Sequence, residues 1–112
     1  MRNPWKIVAG VSGFIAVAMG AVGTHIVKDV HSASLVEKAS FYQLVFSVLL
    51  LWLANTIDTS SRIARGFFAL GILLFCGSLY VKSFTGWENA TTLAPLGGIC
   101  FMLGWLALAL LK

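Results

Sequence analysis

Charged residues punctuate this chain at intervals, and long apolar runs fill the gaps between them. Ile7 to Val27 is 21 residues without a formal charge, Ala39 to Ile57 is 19, and Asn89 to Leu111 is 23. The third gap, Gly66 to Val81, holds 16 residues. It lengthens to about 20 when Lys82 carries its ammonium to the membrane–water interface on its apolar stem. A surface helix of a soluble domain shows a polar stripe at period 3.6, and none of these runs does. Crossing a ~30 Å hydrocarbon core takes roughly 20 mostly apolar residues. The pattern therefore predicts an all-α fold, an integral membrane antiparallel four-helix bundle. It forms one four-span domain over 1–112, with helices at roughly 5–27, 34–57, 62–85 and 91–111.

The connecting segments fit that division. Asp58-Thr-Ser-Ser-Arg62 is a short polar turn rich in N-cap candidates, which makes helices two and three a tight antiparallel hairpin. Lys28 to Ser32 is a polar break, and Ser34-Leu-Val-Glu37 fits a capping box that would start helix two. Gly86 suits a left-handed helix end, Trp87 suits the interface, and Pro95 near the start of helix four costs little. Arg2 and Lys6 before an apolar run also suggest a signal peptide. A signal core is about 7–15 residues, so the longer run reads as a retained helix.

Composition narrows the function classes. Of 112 residues, 59% are apolar and only 11% charged, with mean hydropathy +0.91. Soluble domains run at about 45–50% apolar and about 25% charged. Four crossings leave no room for a soluble catalytic or nucleic-acid-binding domain, so the +4 net charge reads as flanking charge on membrane segments. Arg2, Lys6, Arg62, Arg65 and Lys112 fall on the side of the termini, against Lys28, Lys38 and Lys82 on the other. That excess predicts both termini on the cytoplasmic side of a bacterial inner (plasma) membrane, or of the mitochondrial inner membrane in a eukaryote. Cys76 and Cys100 have no CxxC or metal-ligand spacing and read as buried thiols.

Two groups of residues stand out inside the spans. Small residues mark helix faces where backbones approach: Gly13, Ala16, Gly20 and Gly23, preceded by Ala9, on helix one; Gly66, Ala69 and Gly77 on helix three; Gly97, Gly98 and Gly104 on helix four. Polar residues gather toward one end of the bundle: Thr24 and His25 close helix one, Tyr42 and Gln43 open helix two, Ser78, Tyr80 and Lys82 close helix three, and Thr91 and Thr92 open helix four. The opposite half offers little beyond Ser12 and Asn55. Unpaired polar groups are costly in hydrocarbon, so His25, Tyr42, Gln43, Ser78, Tyr80 and Lys82 are expected to converge on one interior cluster. His25 lacks the partners of a metal or haem ligand, and no nucleophile–base pair can be assembled. No cofactor and no metal site is expected, and the chain reads as a non-enzyme.

These residues also carry a resemblance. Gly20-Ala-Val-Gly-Thr-His25, Tyr42-Gln43, Gly71-Ile-Leu-Leu-Phe-Cys-Gly-Ser-Leu-Tyr80 with Thr85-Gly86, Pro95-Leu-Gly-Gly98 and Gly104-Trp105 follow one another in family order. The chain resembles the small membrane family called transmembrane protein 256 / domain of unknown function 423, found in bacterial inner membranes and in eukaryotes. The resemblance implies a four-span membrane protein and no defined activity. One departure is visible: the family usually has a histidine shortly after Tyr-Gln, where this chain reads Leu44-Val-Phe46.

Two functions are expected to compete. One is a structural or accessory component of a membrane assembly, with the lipid bilayer, a homo-oligomer or a larger membrane complex as partner and no nucleic acid. The other is a binder or carrier of a small lipophilic molecule, a quinone or lipid, beside His25, Tyr80 and Lys82.

Overall fold

A computed structural model describes residues 3–26, 28–56, 58–86 and 88–110. The expected interfacial Trp87, the helix ends at Val27, Ile57 and Leu111, the terminal charges Arg2 and Lys112, and the side chain of Thr91 lie outside the described residues. Every regular element within them is helical.

Helix α1 spans Pro4–His25. The Asn3 side chain caps it, accepting from the Trp5 amide at 2.9 Å, and Pro4 takes the first position, where no N–H is needed. Helix α2 spans Val30–Leu53 and does not start at the Ser34–Glu37 capping box. Asp29 accepts from the Ser32 amide at 3.1 Å and the Ser32 hydroxyl at 2.9 Å, and this stronger cap nucleates the helix four residues earlier. Asp58 does the same for helix α3, accepting from the Ser60 hydroxyl at 2.6 Å, the Ser61 hydroxyl at 2.9 Å and the Ser61 amide at 3.3 Å. These bonds hold both cap carboxyls below their ordinary values; at Asp29 the Ser32 amide contributes most, and at Asp58 the Ser60 hydroxyl.

Helix α3 spans Thr59–Thr85 in three parts: α-helix to Gly71, a π-helical stretch Ile72–Cys76, and α-helix again from Gly77. It ends where Gly86 adopts φ 73° and its amide returns to the Lys82 carbonyl at 2.9 Å. A 3-10 stretch, Glu88–Leu93, leads into helix α4 at Ala94–Leu110, three residues later than the expected start at 91. Helices α1, α2 and α3 are long and apolar enough to cross a membrane. Helix α4, apolar over 17 residues, spans about 26 Å at ~1.5 Å per residue, the short end of the crossing range.

The bundle is open. Helix α1 lies along α2, α4 lies along α3, and α2 and α3 join the two pairs. Among the described residues α1 makes no extended contact with α3 or α4, and the molecule measures 44 × 29 × 18 Å. The core sits between α2, α3 and α4, where Phe46, Leu50, Leu53, Phe68, Ile72, Cys76 and Phe101 are buried. Phe46 stacks on Phe101 at 3.8 Å between ring centres, and Phe68 and Phe75 meet this pair at 5.0 and 5.7 Å.

Glycines make those aromatic contacts possible, though not all the expected ones. A Cβ on Gly97 would collide with the backbone and Cβ of Phe75, and one on Gly104 with the Phe68 ring. Gly71, which sequence reading did not single out as a packing position, takes the Phe101 ring, 2.6 Å from where its own Cβ would stand. On α1, Gly23 meets Val36 and Gly20 meets Ser40, both at 2.9 Å from a hypothetical Cβ, while Ala16 is fully buried. Gly13 has room, with Ser47 Cβ at 3.9 Å. Gly66, Gly77 and Gly98 have no such neighbour within 4 Å among the described residues, so they are not internal packing positions.

The π-helical stretch sets which residues of the second half of α3 face α2. Starting from buried Ala64, steps of about 3.6 residues reach Phe68 and then Gly71/Ile72. Continued without interruption, the same face would pass through Phe75, Ser78 and Lys82. The wider turn takes up one extra residue, and the face toward α2 resumes instead at Cys76, Tyr80 and Ser83.

Candidate functional site: a buried polar network at mid-helix depth

Helices α1 and α2 pair antiparallel through small and hydroxyl side chains. On α2 the interface residues recur every seven positions: Val36 and Gln43 in one row, Ser40 and Ser47 in the other. Ser40 donates its hydroxyl to the Ala16 carbonyl at 2.6 Å, tying α2 to α1. This register sets Ser12 opposite Gln43 and Ser47, and all three are buried.

Their hydrogen bonds form a closed circuit. Gln43 Nε2 is 3.2 Å from Ser12 Oγ, Ser12 Oγ is 2.7 Å from Ser47 Oγ, and Ser47 Oγ is 2.6 Å from the Gln43 carbonyl. Each serine has one proton, so the directions follow: Gln43 donates to Ser12, Ser12 to Ser47, and Ser47 to the Gln43 main chain. Tyr80 of α3 completes the set, its hydroxyl donating to Gln43 Oε1 at 2.7 Å. Gln43 thereby connects three helices from one side chain. Two further bonds fasten α3 to α2: Cys76 Sγ to the Ala39 carbonyl at 3.3 Å and Ser83 Oγ to the Ser32 carbonyl at 3.0 Å.

Of the six residues expected to converge, Gln43 and Tyr80 do. His25 is exposed and makes no hydrogen bond among the described residues. It lies thirteen residues along α1 from Ser12, about 20 Å by helix rise. Tyr42 points into the aromatic side of the bundle, stacked 6.3 Å from Phe101 and edge-on to Phe75 at 5.0 Å. Ser78 is buried but donates within its own helix, to the Phe75 carbonyl at 2.9 Å. Lys82 is half-buried near the end of α3, two residues beyond Tyr80. The depth of Gln43 is the physical reason His25 is left out, and the Asp29 cap supplies four residues of that depth. Because α2 begins at Val30, Gln43 falls thirteen residues in, and the network forms deep in the bundle instead of at its end.

Ser12, Ser40 and Ser47 were missed as members. The seven-residue spacing of Ser40 and Ser47 was a readable signal; Ser12, alone among small residues on α1, carried none until its partner was known.

A second polar group stands at the other end. Asn3 Nδ2 donates to the Ala54 carbonyl at 2.6 Å, and Arg65 Nη1 donates to the carbonyls of Leu53 at 2.8 Å and Thr56 at 3.0 Å. The Arg65 guanidinium also lies 5.3 Å from the centre of the Trp5 ring. Arg65, read as a flanking charge, serves as the cap of α2.

Beside the network, an apolar crevice of about 390 Å³ opens where α1 and α3 stand apart. Val11, Ile15 and Leu73 are among its walls, and Ser12 and Gln43 lie at its base.

Long apolar helices, an exterior rich in exposed Val, Leu, Ile and Phe, and polar side chains paired inside define a helical membrane protein. The chain belongs to the family described as "Protein of unknown function (DUF423)", whose model matches residues 19–98. That stretch holds every motif of the resemblance except Gly104-Trp105. A "UPF0382 membrane protein" of Haemophilus influenzae is 31% identical over 115 residues, covering 97% of this chain and 93% of that protein. The "UPF0382 inner membrane protein YgdD" of Escherichia coli K12 is 33% identical over 106 residues, covering 88% and 81%. A Staphylococcus aureus UPF0382 membrane protein is 32% identical over 108 residues, covering 91% and 88%. No solved structure matches the chain.

Proposed function

We propose that this protein is a non-enzymatic, multi-pass accessory component of a bacterial inner-membrane assembly, with four crossings and both termini in the cytoplasm. The observation that carries this reading is how the buried polar side chains are used. Ser12, Ser40, Gln43, Ser47 and Tyr80 bond to one another or to carbonyls of neighbouring helices, which is how a membrane bundle is held together. Gly66, Gly77 and Gly98 support an assembly role, because they leave flat places where a helix of another subunit can approach closely. The named location of the Escherichia coli relative supports the compartment.

Native gel electrophoresis of tagged protein from membranes solubilised in mild detergent tests the reading. The expected band lies well above that of one 12.1 kDa chain in its micelle. A band at the single-chain position under every mild detergent tried overturns it.

A further inference from the structure

We propose that the crevice between α1 and α3 binds a neutral, lipid-soluble molecule bearing a carbonyl, of the lipid-soluble quinone class, through the Gln43 side-chain amide. A count of protons leads there. Gln43 Nε2 carries two hydrogens; one goes to Ser12, and among the described residues the other has no acceptor. Rotating the amide by a half-turn does not remove the surplus. Nε2 would then donate to Tyr80, leaving both the Tyr80 proton and the second amide proton without acceptors. The orientation present is the better satisfied one, and it still leaves a single donor over.

Gln43 is only 5% exposed and lines the crevice. The crevice walls are hydrocarbon: Val11 and Leu73 are 53% and 72% exposed toward the outside of the bundle. Chain length and depth select the occupant. Gln43 lies ten residues before Leu53 and thirteen after Val30, about 15 and 20 Å by helix rise. In a ~30 Å hydrocarbon core this is close to the midplane. Phospholipid carbonyls stay at the interfaces and do not reach it. Water is scarce there as well. The acceptor must belong to a neutral molecule that dissolves whole in the hydrocarbon, and a quinone ring of about a dozen heavy atoms suits a site of about 390 Å³.

The site uses the crossings proposed above but is independent of any assembly: a chain that runs alone on a native gel would still carry it. The test uses the full chain in phosphatidylcholine nanodiscs with decylubiquinone as probe and decylbenzene as the competitor without a carbonyl. Saturable binding at one probe per chain is expected, with decylbenzene weaker by roughly two- to tenfold, the value of one hydrogen bond. Ala69→Phe, which fills the crevice from α3, should weaken the probe at least about tenfold by removing the space it occupies. Gln43→Leu should abolish the preference for the quinone. If that variant does not fold, the infrared carbonyl stretch of bound decylubiquinone decides instead, shifting down in wild-type protein. No saturable binding, equal competition by decylbenzene, an unshifted carbonyl, or binding untouched by Ala69→Phe overturns the proposal.

Discussion

At the scale of single residues, two kinds of contact hold this bundle: an aromatic ring seated on a glycine, and a hydroxyl or amide bridging two helices. Gly71 and Gly104 lie under the Phe101 and Phe68 rings and Gly97 lies against the main chain of Phe75, while Gly98, next in sequence to Gly97, has open space. Gly97→Ala and Gly104→Ala should therefore each destabilise the protein by ~1–3 kcal/mol, and Gly98→Ala by much less. Thermal unfolding in detergent distinguishes these, and equal losses at positions 97 and 98 would contradict the packing described. The Tyr80–Gln43 bond allows a sharper measurement. A double-mutant cycle with Tyr80→Phe and Gln43→Leu should give a coupling of about 0.6 kcal/mol, the average for hydrogen bonds between membrane helices, and no more than about 1.7. A cycle between His25→Ala and Tyr80→Phe should give none.

At the scale of elements, the helix starts are set by two aspartates. Their carboxyls are held below the ordinary 3.8, so each favours the folded cap above that value and loses its contribution as pH falls through the depressed one. Hydrogen exchange at the Ser32 and Ser61 amides should accelerate, relative to the mid-helix amides, as pH drops below about 3.8. Asp29→Asn and Asp58→Asn keep a capping oxygen and should remove that pH dependence at their own helix only. The π-helical stretch makes a separate expectation. It absorbs one residue, so deleting outward-facing Leu73 should convert it to α-helix and leave both the Phe68 and Tyr80 faces in register. Deleting Leu70, before the stretch, leaves the count of residues between Phe68 and Tyr80 just as short, and is absorbed in the same way. Deleting Ile63 instead should shift Asp58 and its cap relative to the core and lower the melting temperature clearly more than deletion of Leu73 does.

At the scale of the whole molecule, α1 is the least enclosed element, fastened along α2 and at its start by Asn3 to the α2–α3 turn. Given four crossings, the five-to-three distribution of Lys and Arg predicts both ends inside. Alkaline phosphatase fused after Lys112 should be inactive and a fluorescent protein at the same site bright; the reverse pattern would place the C-terminus outside.

Much of this architecture was legible from residue types alone, for a physical reason. Hydrocarbon admits backbone only where its N–H and C=O groups are bonded internally, so runs such as Ile7–Val27 and Ala39–Ile57 could be little other than helices. The Gly86 stop and the polar Asp58 turn were equally local, each depending on a few neighbouring atoms. The polar cluster was not. Gln43 and Tyr80 were recognised as interior polar residues, but their partners depended on which residue of α1 stands opposite α2, and that register is set by Ala16, Ser40, Gly23 and Val36 fitting together. His25 was placed with them because each lies within a few turns of a span end on the same side; Gln43 stands thirteen residues into α2, four of them added by the cap at Asp29, and pairs with Ser12 far from His25. The π-helical stretch decided the rest. A pattern read at a constant 3.6-residue period cannot show where one residue is absorbed, so the pairing of Tyr80, beyond the stretch, was settled only when α3 packed against α2 and α4 together.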